Sequence, residues 1–256
     1  MTRRAWLLAL EVGVPVALLA LYARWAAAAG SFYFPSLPGI AERFADLWLF
    51  DRVPRDVIPS LVRLAAGYWL SVLFGVSAGL VLGMSRMAQQ ATQPIVQFLR
   101  ALPSPALIPF GILVLGVGDA MKIFIIVLGA VWPILLNTID GVRGVDRSML
   151  EMARAYHVGR WSRLFEIVLP AALPRIFAGM RTSLSIAIIL MVISEMVASR
   201  NGMGYFVLEA QRMFAISDMW AGIVLLGVIG YGANFLFVRA ERVILHWHRA
   251  SKGVPQ

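Results

Sequence analysis

The chain has 256 residues, of which 60% are hydrophobic and 14% are charged, whereas a soluble domain has about 25% charged residues, so a fold whose whole surface meets water is excluded. The formal net charge of +9 at pH 7 does not indicate nucleic acid, because the arginines flank apolar stretches, a distribution that fits anionic lipid. The absence of cysteine excludes disulfides, thiolate catalysis and cysteine-ligated metals.

Six apolar stretches follow one another along the chain, and each can cross the bilayer as a helix of about 20 residues. They occupy residues 6–28, 64–84, 101–118, 123–139, 176–198 and 219–238. We therefore predict an all-α membrane protein with about six transmembrane helices in a single domain, residues 1–256. The first stretch continues past the length of a signal peptide, so we expect it to be retained, with cleavage near residues 27–29 as the alternative.

Small residues recur on one side of the second stretch. Gly67, Gly75, Gly79 and Gly83 stand at helical spacing. Glycine at such positions lets two helix backbones approach closely in a membrane. The pattern predicts that this side packs against another helix.

The segments between the apolar stretches alternate in charge. Arg86 follows the second stretch, six arginines lie between the fourth and fifth, and the tail after the sixth is basic. The tail contains Arg239, Arg242, Arg249 and Lys252. The other segments balance acids against bases. Because positive residues favour the cytoplasmic side of a membrane, we predict that both termini face the cytoplasm of a bacterial inner membrane.

The segment between residues 140 and 174 has the pattern of a helical hairpin. Ser148 and Glu151 have the spacing of a capping box, which predicts a helix with Ser148 as its N-cap and Gly159 near its end. The apolar face of this helix is predicted to contain Met149, Met152, Ala153 and Tyr156. An amphipathic hairpin of this kind either lies in the lipid interface or inserts into a groove of a partner.

A second short helix is predicted over residues 162–169. Pro170 and Pro174 follow it, and a proline disfavours helical conformation in the residue before it. We therefore expect the chain to break at these prolines before the fifth apolar stretch.

This hairpin resembles the Glu-Ala-Ala loop of the permease subunits of bacterial ABC importers. Glu151, Ala153, Ile167, Leu169 and Pro170 match the loop pattern at its spacing. Met152 replaces an alanine, and His157 replaces a glycine that would permit a left-handed turn. Histidine tolerates that conformation better than most residues do, and Gly159 is the alternative position for the turn.

The resemblance extends over residues 61–247, and it points to the branch that handles sulfonates, taurine and nitrate. Its landmarks include Leu102, Pro103, Pro109, Gly116, Gly118, Asp119, Gly141, Gly179, Arg181, Glu195 and Gly202. It implies a type I ABC importer permease fold with cytoplasmic coupling helices in a loop of about residues 143–174. The residues that it implies for docking of the ATPase are Ser148, Glu151, Met152, Ala153, Tyr156, His157, Gly159, Ile167, Leu169 and Pro170.

The resemblance also implies partners, because ATP must be hydrolysed by a separate chain. A P-loop needs a Gly-Lys pair, and neither Lys122 nor Lys252 follows a glycine. We therefore expect this chain to bind no cofactor, and ATP with Mg to bind to two cytoplasmic ATPase subunits. A second permease copy, which we expect to form a homodimer, an extracytoplasmic solute-binding protein and membrane lipid complete the expected partners, and nucleic acid is not among them.

The family's pathway is lined by the third to fifth spans, which suggests Asn137, Ser185, Ser194 and Glu195 as pathway residues. We expect Glu195 near the outer mouth, paired with Arg200, and we expect Glu11 and Arg63 to pair or to reach the interface. Residues 202–214 are predicted to form a gate or a docking surface for the binding protein.

Other classes of protein remain as alternatives. An ion-coupled secondary transporter would need titratable residues near the bilayer centre and an inverted repeat, and neither is evident. An enzyme lacks support, because no nucleophile–base constellation is present and His157, His246 and His248 do not form a set of metal ligands. A scaffold that holds a partner without transport is the third alternative, and ATP-dependent uptake in vesicles separates all of these.

Overall fold

The computed structural model describes residues 3–48 and 52–246, with side chains from residue 10 onwards. His248, Arg249 and Lys252 of the predicted basic tail lie outside the described residues, as do the side chains of Arg3 and Arg4. Within the described ranges every regular element is helical.

The described part of the chain forms eleven α-helices. They are α1 (Arg3–Ala29), α2 (Leu37–Trp48), α3 (Ile58–Met84), α4 (Arg86–Ala101), α5 (Ile108–Leu115), α6 (Asp119–Arg143), α7 (Arg147–Ala155), α8 (Arg160–Ser162), α9 (Leu169–Ala198), α10 (Met203–Arg212) and α11 (Ile216–Ile244). A π-helical turn precedes α3 (Val53–Val57) and another precedes α9 (Arg163–Val168), and a 3-10 turn (Ser104–Leu107) precedes α5.

Five helical segments of the described chain are long and apolar enough to cross a membrane. They are Leu10–Ala29, Val53–Met84, Asp119–Arg143, Arg160–Ala198 and Ile216–Ile244. The predicted third span is different, because α4 and the segment Ser104–Leu115 meet at a bend of 85°. Pro103, Pro105 and Pro109 account for the bend, since proline lacks an amide donor and disfavours helix before it. The prediction of about six spans is confirmed if this bent pair counts as one broken span.

The centre of the bundle is formed by α3, α6 and α9, and its close packing depends on the glycines of α3. A β-carbon added at any of the four predicted positions would lie only 2.5–2.9 Å from a side chain of α6. The four glycine–neighbour pairs are Gly67 with Ile126, Gly75 with Ile134, Gly79 with Thr138, and Gly83 with Val142. The predicted small-residue face is therefore confirmed, and its partner is α6.

The two N-terminal helices attach to the bundle by polar and aromatic contacts. The Tyr22 hydroxyl donates to the Pro35 carbonyl at 2.9 Å, and the ring of Trp220 lies against Tyr22 and Phe34. Arg43 of α2 donates two hydrogen bonds to Asp218 of α11, at 2.7 and 3.0 Å. The hydrogen bonding to Asp218 raises the pKa of the Arg43 guanidinium above its ordinary value.

Most of α1 faces outward. Its side chains Val12, Val16, Leu18 and Leu21 are exposed, as expected for a helix that meets lipid. Glu11 is exposed on the same helix and forms no ion pair with a side chain that the structure describes, so the expected pairing of Glu11 is not found.

Candidate functional site

The hairpin begins two residues before the predicted cap. The Asp146 side chain accepts a hydrogen bond from the Ser148 amide at 2.9 Å, and α7 starts at Arg147. Aspartate caps helices as well as serine does, and Asp146 comes first along the chain. The prediction of Ser148 as the N-cap is therefore wrong, and Ser148 instead donates its backbone amide to the capping side chain.

The first helix of the hairpin ends in a left-handed turn at His157, whose φ is +53°. The Val158 amide donates to the Ala153 carbonyl at 2.8 Å, and the His157 amide donates to the Arg154 carbonyl at 3.0 Å. These two bonds form a Schellman motif, which usually has glycine at the left-handed position. Gly159 has a φ of −58°, so it does not form the left-handed turn. The turn lies at His157, the position at which the loop pattern has glycine.

The faces of α7 differ from the prediction in one respect. Met149, Met152 and Tyr156 are exposed, Tyr156 by 79%, whereas Ala153 is buried. Leu150 also turns inward and packs on the cluster that contains Val145 and Val168. Ala153 therefore belongs to the side that holds α7 against the bundle, because a small residue there permits close approach.

More apolar surface is exposed on the second arm of the hairpin. The rings of Trp161 and Phe165 stack with centroids 6.1 Å apart, and both side chains are exposed. Together with Met149, Met152 and Tyr156 they form what we call the hairpin apolar set. Exposed large apolar side chains that stand together mark a contact with lipid or with a partner protein.

The second arm continues into the membrane without a break. Residues Arg160–Ala198 form one helical segment of 39 residues, so the predicted break at the prolines is wrong. Pro170 is the second residue of α9, just after the π-helical turn Arg163–Val168. Pro174 lies inside α9. Ile167 and Leu169 pack on the core cluster that contains Val168 and Ala172.

The other end of the bundle contains a buried polar cluster centred on Glu195, which is fully buried. The Arg63 Nη1 donates to Glu195 Oε1 at 2.7 Å, the Ser60 hydroxyl lies 2.8 Å from the same oxygen, and the Gly204 amide donates to Oε2 at 3.0 Å. The expected pairing of Glu195 with Arg200 is therefore wrong. Its partner is Arg63, and the expected pairing of Arg63 is therefore found.

Arg63 connects four parts of the fold through one guanidinium. Besides Glu195 of α9, its Nε donates to Asp119 of α6 at 2.7 Å, and its Nη2 donates to the Asn201 side chain at 2.6 Å. The planar guanidinium presents several donors in a fixed geometry, which suits such a junction. We call Ser60, Arg63, Asp119, Glu195 and Asn201 the Glu195 cluster.

The connection between α9 and α10 wraps around this cluster. Gly202 has a φ of +113°, and a β-carbon there would lie 2.5 Å from the Glu195 carboxyl carbon. Its amide donates to Asp56 at 2.9 Å, and the next amide, of Met203, donates to the Ser60 hydroxyl at 2.9 Å. Only glycine fits this position, because it must adopt a left-handed conformation and leave room for the carboxylate.

The predicted gate segment, residues 202–214, is mostly the helix α10, which packs on α9 and α11. Met203, Phe206, Val207 and Ala210 form its buried side. On the outer side Tyr205 donates to Glu209 at 2.9 Å, and this hydrogen bond raises the pKa of the Tyr205 phenol. The segment ends in exposed Met213 and Phe214.

The four predicted pathway residues do not converge on one site. Asn137 donates to the Pro133 carbonyl at 2.8 Å, and Ser194 donates to the Met191 carbonyl at 2.9 Å, so each is satisfied within its own helix. Ser185 is exposed on α9, and Glu195 belongs to the cluster described above.

Sequence reasoning missed several polar contacts that connect elements, including the following two. The buried Ser183 of α9 donates to the Ala130 carbonyl of α6, and Asp119 accepts from Arg63. Arg63 and Glu195 could have been paired from the sequence, because two opposite charges within apolar spans each need a partner.

Known proteins are similar to this chain in sequence and in fold. Residues 71–246 match the family described as binding-protein-dependent transport system inner membrane component. The chain is 32% identical over 219 residues to the putative aliphatic sulfonates transport permease protein SsuC of Bacillus subtilis. This alignment covers 86% of this chain and 79% of that protein. It is 33% identical over 214 residues to the bicarbonate transport system permease protein CmpB of Synechococcus elongatus, which covers 80% of this chain and 77% of that protein.

The fold matches a solved structure of an inward-facing methionine ABC transporter, MetNI. The TM-score is 0.63 at 20% sequence identity, and the match covers 74% of this chain and 94% of that chain. The fold is therefore that of a type I ABC importer permease, as predicted.

The protein is thus a multi-pass transport permease of the inner membrane. More specifically, the chain belongs to the family of binding-protein-dependent transport system inner membrane components. The resemblance predicted from the hairpin is confirmed, and so is the role as a transport permease.

Proposed function

We propose that two copies of this chain form the pathway of an ATP-driven importer for a small anion, such as a sulfonate, taurine, nitrate or bicarbonate. Two cytoplasmic ATPase subunits, which hold ATP and Mg, drive it, and an extracytoplasmic binding protein delivers the solute. The observation that carries the proposal is the hairpin: it exposes Met149, Met152 and Tyr156, and its second arm is continuous with a membrane span.

The hairpin has the surface of a peg that inserts into a groove. Its exposed apolar side chains would be buried by a partner, and each large side chain contributes about 1.5–3 kcal/mol when fully buried. Glu151, Arg147 and Arg154 form no ion pair with the described residues, so their charges are free to set the register of docking. We assign the contact with the ATPase to Ser148, Glu151, Met152, Tyr156, His157 and Gly159.

The remaining residues of the loop pattern support the peg from behind. Ala153 is buried, Ile167 and Leu169 pack on the bundle core, and Pro170 is the second residue of α9. A rigid connection of this kind would carry a displacement of the hairpin along α9. ATP binding by the ATPase subunits would then favour one state of the bundle by differential affinity, which is the requirement for alternating access.

The arrangement in the membrane follows the distribution of arginines. The end of the bundle with α7 carries Arg86, Arg143, Arg147, Arg154 and Arg163, and we place it in the cytoplasm together with both termini. The Glu195 cluster and α10 then face outward, where the binding protein would dock on the end of α10.

Side-chain contacts divide the four predicted pathway residues into two pairs. Ser194 and Glu195 are buried and bonded within the subunit, which supports a structural role for both. Asn137 is half-buried and Ser185 is exposed, and these two remain our candidates for lining the pathway between the two copies.

The substrate class rests on the relatives. SsuC is described as a permease for aliphatic sulfonates and CmpB as one for bicarbonate, and both solutes are small anions. In our proposal the binding protein makes most of the selection, and this chain provides a pathway that tolerates a small anion.

The proposal predicts the effect of reversing one charge on the peg. Glu151→Arg should leave membrane insertion intact but abolish ATP-dependent uptake in proteoliposomes that contain the permease, the ATPase and the binding protein. Glu42→Arg on the exposed surface of α2 is the matched control, and it should transport as the unchanged protein does.

The same vesicles separate the proposal from its alternative. Full uptake by Glu151→Arg would remove the docking role of the hairpin. Uptake that proceeds without ATP and follows an ion gradient would show an ion-coupled secondary transporter instead.

A further inference from the structure

A cavity of about 740 Å³ lies behind the hairpin, between α7 and the neighbouring ends of α3, α4 and α6. A cavity of roughly 300–1,000 Å³ is the size in which proteins hold small ligands. Its wall is made by five separate elements, because the π-helical turn before α9 also contributes. Neither the hairpin apolar set nor the Glu195 cluster lines it.

The charge of the cavity wall is strongly positive. Five arginines line it, and Glu151 is the one acidic residue among them, so the side chains carry a net charge of +4, five positive against one negative. The arginines are Arg86, Arg143, Arg147, Arg154 and Arg163. The ion pairs of arginine in the described part of the chain involve Arg43, Arg52 and Arg63, so none of these five is neutralised.

Arg86, Arg143, Arg147 and Arg154 are exposed and Arg163 is half-buried, so water reaches these side chains, but their charges share one partly enclosed space and together attract an anion. Like charges around a partly enclosed space repel one another more strongly than they do in open water. Guanidinium groups also make few alternative contacts here, because no side-chain hydrogen bond of these arginines is found among the described residues. Gln89 and Gln90 add amide donors to the same wall.

We propose that this cavity binds an oxyanion, either a small free anion or the phosphate of a lipid headgroup. The planar fork of arginine matches the oxygens of phosphate and sulfonate groups in bidentate geometry. Val142 and Val168 add apolar surface to the same wall, which suits a small organic group beside the charged one.

The site would couple anion binding to the position of the hairpin. Arg147 and Arg154 lie on α7 and Arg163 lies on the second arm, whereas Arg86 and Arg143 lie on the bundle. An anion held between the two groups ties the hairpin to the bundle. This inference does not rest on the transport function, since binding to the cavity can be measured without either partner protein.

The experiment measures binding of radioactive inorganic phosphate to the full chain in nanodiscs of zwitterionic phosphatidylcholine, by equilibrium dialysis. We expect one saturable site per chain. Arg143→Gln and Arg163→Gln should each weaken binding at least tenfold. Arg160→Gln, an exposed arginine of the same hairpin that does not line the cavity, should change it less than twofold.

A fourth variant guards against loss of folding as an explanation. Glu151→Gln removes the acidic side chain from the wall and should tighten phosphate binding severalfold, a gain that a damaged fold would not produce. Unchanged or weaker binding in this variant would contradict the inference.

A second experiment distinguishes a free anion from a lipid headgroup as the ligand. If phosphate does not bind, but native mass spectrometry shows that the chain retains phosphatidylglycerol and loses it in Arg143→Gln and Arg163→Gln, the ligand is a lipid headgroup and the site stands. The inference is overturned if neither phosphate nor phosphatidylglycerol distinguishes these two variants from Arg160→Gln.

Discussion

At the scale of single residues, Arg63 and Glu195 are the most tightly constrained pair. Both are buried, with Nη1 and Oε1 2.7 Å apart. A buried pair adds little net stability, because each charge had to leave water, but removal of one partner leaves the other charge uncompensated. The pair therefore adds little to the free energy of unfolding. Its main effect is to disfavour other arrangements of α3, α9 and the connection to α10, in which one of the two charges would be buried alone.

This reasoning predicts a large effect of removing the cation. Arg63→Met should lower the free energy of unfolding by about 3–5 kcal/mol, because Glu195 then stays buried without its partner. Unfolding of the detergent-solubilised chain by denaturant, followed by circular dichroism, measures it. Arg43→Met breaks the partly exposed pair with Asp218 and should cost about 1 kcal/mol or less. Equal losses in the two variants would contradict the structural role of the cluster.

The second residue-scale prediction concerns the turn at His157. A left-handed conformation costs a residue with a side chain about 1–2 kcal/mol, and glycine recovers part of this but loses more freedom on folding. His157→Gly should therefore stabilise the end of α7 by up to about 1 kcal/mol. Slower hydrogen exchange of the Tyr156 and Val158 amides would report it.

The control for this turn is Gly159→Ala. Gly159 has an ordinary φ of −58° and open space around it, so alanine is tolerated there. If His157→Gly exchanged as fast as the unchanged protein or faster, the Schellman turn would not limit the stability of the hairpin end.

At the scale of elements, the contact between α3 and α6 determines the shape of the bundle. The four glycines of α3 could be identified from the sequence as a packing face, because their spacing alone shows that they share one side of a helix. Their partner could not be identified, since many helices offer Ile, Thr and Val. The identity of α6 as the partner appears only in the three-dimensional structure.

The contact predicts which glycine can accept a side chain. Gly79→Val should cost about 1–3 kcal/mol of stability, because its first side-chain atom would already lie 2.5 Å from Thr138 and the two helices would have to separate. Gly227→Ala on α11, with nothing within 4 Å, should be neutral. Thermal unfolding in detergent compares them, and a neutral Gly79→Val would mean that α3 and α6 are less close than described.

The sequence-based predictions were wrong at helix ends where two local preferences of similar strength applied. Asp146 and Ser148 are both good caps, and the rule does not choose between them. A proline usually marks the end of a preceding helix, but the π-helical turn Arg163–Val168 runs directly into α9 and the helix continues through Pro170. The stretch around Pro103 is a different case. It is apolar along its length, so its composition predicted a continuous span and gave no indication of the 85° bend.

At the scale of the whole molecule, the two ends of the bundle differ in chemistry. One end contains the Glu195 cluster, in which the buried Arg63 pairs with the buried Glu195 and with the exposed Asp119. The other end carries arginines that form no ion pair with the described residues, together with the exposed hairpin apolar set. The hairpin sequence alone was sufficient to predict the family. Its arginine-lined cavity was not predictable, because the residues come from five elements that are distant along the chain.

The proposed docking of a partner on the hairpin in the cytoplasm can be tested directly, because the chain has no cysteine. The measurement is labelling of Tyr156→Cys by a membrane-impermeant maleimide, in right-side-out and inverted vesicles, with Phe32→Cys as the control. Both side chains are exposed, by 79% and 63%. We expect Tyr156→Cys to react only in inverted vesicles and to be protected when the ATPase subunits bind, whereas Phe32→Cys should react only from the outside. Labelling of Tyr156→Cys from the outside, or without protection by bound ATPase, would contradict this proposal.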